Sequence, residues 1–418
     1  MTHRSETGAV GRLAKPCRDG PTPHSSGTAA QSWVASCANR LAQAFRLEIG
    51  LGNVPTSKLS QLCDMSATGP SPSRKRQRRD PTILDLARAA RVSKTTASRV
   101  LNGAPNVAPE TRARVLEAIR RIDYRVNAAA RSLRTTRTFL VGYLVPAVSN
   151  DVFGRIAEVL EEELRQQGVG LVIASSGWDP EGERVALESL RARQVDGLVL
   201  SLGNDRASEV GELLNSIDCP LVLIDREVKG VDADVVLTDE RGGASAAIEH
   251  LASLGHRTVA TAVISTLVRP GRESLAGLRT AIAERGLRCV AEIVVPYARV
   301  DRQLGNEVAQ QALDNGATAI VCCVPTPVTA GVLERLSELG CDVPRDISVI
   351  GFDDSDLASV IRPPLTVIAR PLNQVSRLAS RMVTSRLVNP QLPPRVGVVH
   401  MSMLVRGSTE ASRIQAAR

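Results

Sequence analysis

At 418 residues, 43% of them hydrophobic, the chain is long enough for two or three domains and fits an ordinary soluble globule. It has no apolar run of about 18 residues, and its N-terminus MTHRSETGAVGRLAKPC lacks the apolar core of a secretory leader, so a cytoplasmic protein free of membrane is expected. The net charge of +8 is uneven: residues 74–134 hold sixteen cations against five anions and residues 1–73 seven against four, which leaves the rest of the chain mildly acidic and points to a polyanion partner for one compact module.

In chain order, residues 1–80 are rich in Gly, Pro, Ser, Thr and Ala and are expected to be disordered, apart from a weak helix in WVASCANRLAQAF. They end in SPSRKRQRRD, either a DNA-seeking arm or a solvated linker. Met65 opens a second reading of the start, in which residues 1–64 are a start-site artefact; the N-terminal peptide mass of natively expressed protein would decide.

From Thr82 the punctuation becomes helical. TILDLARAA places Ile83, Leu86, Ala87 and Ala90 on one apolar face. Ser93 is a good N-cap for a second helix from about Lys94 to Leu101, and Pro109 suits the first turn of a third, in which Val115, Leu116, Ile119 and Ile122 form a stripe. Three short helices with a three-residue first turn are a helix-turn-helix unit, expected over 81–137.

From Phe139 short apolar runs such as FLVGYLVP, GLVIAS, GLVLSL and ISVIGF alternate with helical stretches. That rhythm predicts a parallel sheet with helices on both faces, and about ten strands exceed one small sheet. The expected fold is therefore an all-α head followed, over 138–409, by two doubly wound α/β subdomains with a ligand cleft between them, and a tail at 410–418. The eight cysteines show no CxxC spacing, and Cys322 and Cys323 in TAIVCCV read as buried strand residues, so neither a zinc site, a disulfide framework nor a cofactor is expected.

The run VSKTTASRVLNG, residues 92–103, supplies the chemistry of the head. The second helix of such a unit enters the major groove, where small Thr and Ser residues permit close approach and Lys94 and Arg99 can reach guanine acceptors or phosphates. A Ser/Thr-rich surface helix without a partner is the alternative.

The stretch from TILDLARAARVSKTTASRVLNG to VNAAARSLRT closely resembles the DNA-binding head of the lactose repressor (LacI/GalR) family. The likeness continues through VDGLVLS, PLVLIDR, HLASLGHRTVA, VPRDISVIGFDDSDLASVIRPPLTVI and LVRGST, over about residues 81–409. It implies a dimeric repressor with a body similar to periplasmic sugar-binding proteins. It also implies base contacts from Lys94, Thr95 and Arg99, and phosphate contacts from Thr82, Ser93, Thr96, Ser98, Asn102 and Thr111. A hinge helix over 127–134 would form on DNA, with Asn127, Ala130 and Leu133 at the minor groove and Leu133 as a wedge between base pairs. Ala97 and Val126 stand where the family usually has Val and Pro.

In the cleft the departures are larger. Phe153 and Asp225 are family-like pocket positions, but Ser274 replaces the usual Arg anchor, Thr326 the usual Asp, and Val300 the usual aromatic platform. Arg272, two residues from the missing Arg, is the candidate substitute. Because a buried sugar hydroxyl left unpaired costs about 1–3 kcal/mol, these losses argue against a standard sugar ligand; either the effector is less polar or small-molecule control is lost.

Enzymatic chemistry is not expected: no GxSxG, HExxH or P-loop appears, His250 and His256 fall in HLASLGHRT, and the resemblance implies that the acids of GFDD close a strand. The reading is a sequence-specific transcription regulator, a repressor that binds a near-palindromic operator as a homodimer, with a tetramer left open, and is modulated by an unknown small-molecule effector. The alternative is a cytoplasmic small-molecule-binding protein with a vestigial head.

Overall fold

The computed structural model describes residues 80–101, 104–124, 137–206 and 208–412. The expected N-terminal extension, Asn102 and the expected hinge helix 127–134 lie outside these residues. The chain divides into two compact units, Met1–Tyr124 and Arg125–Arg418.

The first unit holds helices α1 (Ile83–Ala90), α2 (Lys94–Leu101) and α3 (Pro109–Ile122). Thr82 and Asp85 form a reciprocal capping box that starts α1, and Arg91 ends it in the left-handed region at φ 53°. The core is small: Leu86, Ala87, Ala90, Ala97, Val100, Val115 and Ala118 are buried, and four of these seven are alanines. So little apolar surface leaves a modest hydrophobic contribution, as expected for so short a unit. The expected stripe on α3 needs one correction, because Leu116 is 49% exposed and Ala118 is buried. Among the described residues the second, larger unit holds twelve strands, two more than the alternation of apolar runs announced. These are β1 (Leu140–Val145), β2 (Gly170–Ser175), β3 (Gly197–Leu200), β4 (Leu221–Ile224), β5 (Asp234–Thr238), β6 (Thr258–Ile264), β7 (Arg288–Val295), β8 (Ala319–Cys323), β9 (Ser348–Phe352), β10 (Thr366–Ala369), β11 (Val396–Val399) and β12 (Ser402–Leu404).

They form two six-stranded sheets, in the orders β11-β5-β4-β3-β1-β2 and β12-β10-β9-β8-β6-β7. All pairings are parallel except β10 with β12. Inner strands such as β3 and β4 are buried at every residue, which is why they read as unbroken apolar runs rather than as alternation.

The helices between are α4 (Asp151–Gln166), α5 (Pro180–Ala192), α6 (Ser208–Asn215), α7 (Glu240–Ser253), α8 (Arg269–Glu284), α9 (Arg302–Asp314), α10 (Thr326–Glu338), α11 (Asp356–Val360) and α12 (Leu372–Val388). In the first sheet α4 and α12 close one face and α5 and α6 the other. In the second, α9 and α10 close one face and α7 and α8 the other. The chain passes between the sheets three times, after β5, β10 and β11.

Helices α9 and α10 cross where neither has a side chain. A Cβ on Gly331 would lie 2.0 Å from the carbonyl oxygen of Arg302, and one on Gly305 2.1 Å from that of Val328. Backbone cannot swing aside as a side chain does, so Gly331→Ala is expected to cost about 1–3 kcal/mol, read as a lower thermal midpoint. An unchanged midpoint would show that the helices separate freely. Among the described residues no helix is long and apolar enough to cross a membrane.

Candidate nucleic-acid interface and ligand cleft

On the first unit, α2 turns Ala97 and Val100 inward and leaves Lys94, Thr95 and Arg99 exposed. The side chains of these three form no hydrogen bond or ion pair among the described residues, whereas nearby cations serve the fold: Arg112 donates to the carbonyl of Ala104, and Arg121 Nη2 donates to that of Ala89 at 2.6 Å.

Hydroxyls sit at the first turns of all three helices. Thr82 caps α1 and Ser93 Oγ accepts from Thr96 N at 3.0 Å, with the Ser93 and Thr96 hydroxyls 2.8 Å apart. Thr111 is half-buried at the start of α3, and Ser98 is half-buried on α2. Free N–H groups at helix starts favour phosphate, and these hydroxyls flank them. Asn102, Asn127, Ala130 and Leu133 lie outside the described residues.

On the second unit the C-terminal ends of parallel strands from both sheets meet at a cavity of about 790 Å³, the place where open α/β sheets bind ligands. Ser201 follows β3, Asp225 and Arg226 follow β4, Cys323 ends β8, Asp353 follows β9 and Arg370 follows β10; all line it. Phe153, Asp225, Ser274 and Thr326, expected at the pocket, line it as well. Two expected residues do not. Arg272 is turned to the buried carboxylate of Asp205, which it grips with Nη1 at 2.8 Å and Nη2 at 3.2 Å. Val300 packs on the core of the second sheet, and the aromatic ring comes from Tyr297 instead, because the 3-10 turn Tyr297–Arg299 carries that side chain into the cavity.

The rings of Tyr297 and Trp178 stack with centroids 3.7 Å apart and planes at 14°, and Phe153 stands 6.0 Å from Trp178. Tyr297 comes from the second sheet's subdomain and Trp178 from the first, so the pair spans the cleft. Burial pushes the Tyr297 phenol up to about 12. Trp178, Asp225 and Asp353 hold φ of 64°, 53° and 63°. Side-chain-bearing residues in this left-handed region carry strain, which collects at functional sites.

Beneath the rings runs a chain of buried charges. Arg370 donates from Nε to Asp353 Oδ1 at 2.7 Å and from Nη2 to Oδ2 at 2.6 Å, and its Nη1 lies 3.6 Å from Asp225 Oδ2. Burial disfavours its charge, but Asp353, Asp225 and Glu240 together hold its pKa above the usual arginine value. Asp225 Oδ1 accepts from the N–H of Thr238 at 2.7 Å and from its hydroxyl at 2.8 Å. That hydroxyl also lies against Glu240, which is fully buried and pairs with Arg269 Nη1 at 2.8 Å. Burial first, then the charge of Asp225, pushes the Glu240 carboxyl up to about 7. Sequence reasoning missed Trp178, Arg226, Tyr297 and Arg370; the signal for Trp178 was there, because the body contains no second tryptophan.

His250 and His256 secure the C-terminal segment. His250 Nε2 lies 3.0 Å from Thr409 Oγ1 and His256 Nε2 3.1 Å from the carbonyl of Glu410.

A helix-turn-helix head joined to a two-sheet body with a cleft defines a ligand-responsive transcription regulator. Residues 82–127 match the model for bacterial regulatory proteins of the lacI family, and residues 248–409 match that for a periplasmic binding protein-like domain. The HTH-type transcriptional regulator DegA of Bacillus subtilis is 30% identical over 329 residues, 76% of this chain and 97% of that protein. The Lac repressor dimer bound to operator and the anti-inducer ONPF matches with a TM-score of 0.70 at 24% identity, over 80% of this chain and 100% of that one. The complex of the transcriptional regulator CelR with cellobiose matches with a TM-score of 0.59 at 26% identity, over 78% and 99%. The chain belongs to the LacI family of bacterial transcription regulators.

Proposed function

We propose that this regulator is a repressor that binds a near-palindromic operator as a homodimer, and that a small molecule held in the cleft modulates its grip on DNA. The observation that carries the reading is the exposed face of α2, where the side chains of Lys94, Thr95 and Arg99 have no partner among the described residues on a helix anchored from behind by Ala97 and Val100. Thr82, Ser93, Thr96, Ser98, Asn102 and Thr111 hold phosphates, which fixes register while the base contacts read sequence. Asn127, Ala130 and Leu133 form the minor-groove contact of the hinge, with Leu133 prising base pairs apart. A ligand that closes the cleft shifts the two subdomains relative to one another and so changes DNA affinity by linkage.

The test is selection from a random duplex pool with the full chain, at about 150 mM salt so that nonspecific binding is weak. A two-fold symmetric motif is expected; failure to enrich any motif, with and without a metabolite extract, would overturn the reading. On the selected site Arg99→Ala is expected to cost about 1–3 kcal/mol and to relax base preference at one position of each half-site. An equal loss on random DNA would count against direct readout.

A further inference from the structure

We propose that Asp205 is the catch of a latch by which the body holds its two subdomains together through its own side chains, so that a ligand of the cleft adds to a closure already made. The inference rests on the coupling of cleft to DNA proposed above. Three passages of chain join the subdomains along one edge, where β11 and β5 lie in the first sheet and β12 and β10 in the second. What resists rotation about that edge is the set of contacts bridging the two walls, and these recur from the joined edge to the opposite one.

Next to the joined edge, at the end of β5, the carbonyl of Thr238 accepts from Arg269 Nη1 of α8 at 3.0 Å. Past the end of β4, Glu227 Oε2 accepts from Arg269 Nε, also at 3.0 Å. Past the end of β3, Asp205 takes the Arg272 guanidinium on both oxygens, at 2.8 and 3.2 Å, and accepts the backbone N–H of Arg269 at 3.1 Å. Its own N–H donates to the carbonyl of Leu267 at 3.3 Å. At the far edge Trp178, past β2, stacks on Tyr297, past β7. Strands β5, β4, β3 and β2 thus each bring a residue to the second subdomain, and every one of these contacts joins two groups of this chain.

Asp205 is where the bridging contacts converge. Its carboxylate is wholly buried, and apart from the N–H of Glu227 at 3.4 Å the donors it meets come from the opposite subdomain. A two-pronged guanidinium with a further N–H is the strong form of charged contact. Because two packed subdomains carry the contacts, each keeps the next within reach, and losing one weakens the rest. The same geometry accounts for Arg272, whose guanidinium is held by Asp205 and not offered to the cavity. A ligand shifts an equilibrium only by the difference in its affinity for the two states, so a body already latched leaves it little to shift.

The experiment uses the full chain carrying Trp33→Phe, which leaves Trp178 as the one indole. No ligand is added; acrylamide quenching of Trp178, far-UV circular dichroism and binding to the selected operator are read on each variant. Asp205→Asn, which removes the charge and keeps the shape, is expected to shift the emission to the red and to raise the quenching constant about twofold as the stack parts. Arg272→Gln is expected to do the same, and the double variant no more than either alone, since both break one contact. Arg272→Lys, which keeps the charge and guards against misfolding of the others, is expected to give a smaller rise. Glu273→Gln is the control: it removes an ion pair with Arg241 that lies within the second subdomain, and quenching is expected to stay as it was. Operator affinity is expected to change about fivefold or more in Asp205→Asn and Arg272→Gln and to hold in Glu273→Gln. Unchanged quenching in both latch variants, or an equal rise in Glu273→Gln, would overturn the proposal. More quenching with unchanged operator affinity would support the latch and overturn its coupling to DNA. Loss of sequence-specific binding by the unsubstituted chain would overturn the regulator reading, and the quenching result would stand apart from it.

Discussion

Replacing Arg370 by Met is expected to lower the unfolding free energy by about 3–5 kcal/mol at neutral pH, the size found when one partner of a buried ion pair is removed. The guanidinium is 12% exposed and holds Asp353 through two hydrogen bonds while standing 3.6 Å from Asp225 and 5.1 Å from the centre of the Phe352 ring. Met is an unbranched apolar side chain that replaces most of the arginine stem, so the change reports charge rather than a cavity. Two carboxylates from different subdomains are then left facing one another without a cation. Urea unfolding followed by far-UV circular dichroism measures the loss. A change below about 1 kcal/mol, the size of an exposed pair, would mean that water already screens this cluster. Arg370→Lys should recover only part of the difference, because a single ammonium cannot reproduce the two-pronged grip on Asp353.

Glu240→Gln is expected to change the slope of stability against pH. Burial and the neighbouring Asp225 raise the folded-state pKa of Glu240 from 4.5 to about 7, so between these values the folded protein binds a proton that the unfolded chain has released. Its contribution is therefore fully present below about pH 4.5 and is lost as pH rises through about 7. The hydroxyl of Thr238 lies against both Asp225 and Glu240 but has one proton to donate, and a protonated Glu240 relieves that shortage. The Gln variant, neutral throughout, should gain on the wild type by up to about 1.4 kcal/mol per pH unit across this window. Parallel stability curves for the two proteins would contradict it.

Much of the head was legible because its helices announce themselves locally. The boundaries of α2 follow from Ser93, Lys94 and Leu101, and the buried face of α1 from Leu86, Ala87 and Ala90. Leu116 was misread because an apolar stripe does not say how much of it a small neighbour can cover. Strands β11 and β12 are short and lie beyond the last helix, with no alternation to mark them. In the cleft, Phe153, Asp225, Ser274 and Thr326 were reached through the family resemblance. What no local pattern reveals is the choice of partner: Arg272 looks available in sequence, yet Asp205, 67 residues away, takes its guanidinium. Arg226 is the converse case, since beside Asp225 it reads as half of a pair, whereas among the described residues its side-chain hydrogen bonds go to the backbone carbonyls of Asp225 and Leu202. Val300 gave way to Tyr297 because a single turn of 3-10 helix re-aimed the chain.

The three passages between the sheets also govern the order in which the molecule can be completed. The first sheet takes its outermost strand from Val396–Val399, and Val222, Ile224 and Val236 are covered by Val375, Ala379, Met382 and Val383 of α12. All of these come after the whole second sheet except β12. A nascent chain thus presents an incompletely covered apolar face until α12 has been made, and the first sheet lacks its outermost strand until Val399. Translation that stops anywhere between Thr238 and Leu372 leaves the part of that face beneath α12 bare, with α4 alone covering the rest, a state prone to aggregation and to capture by chaperones.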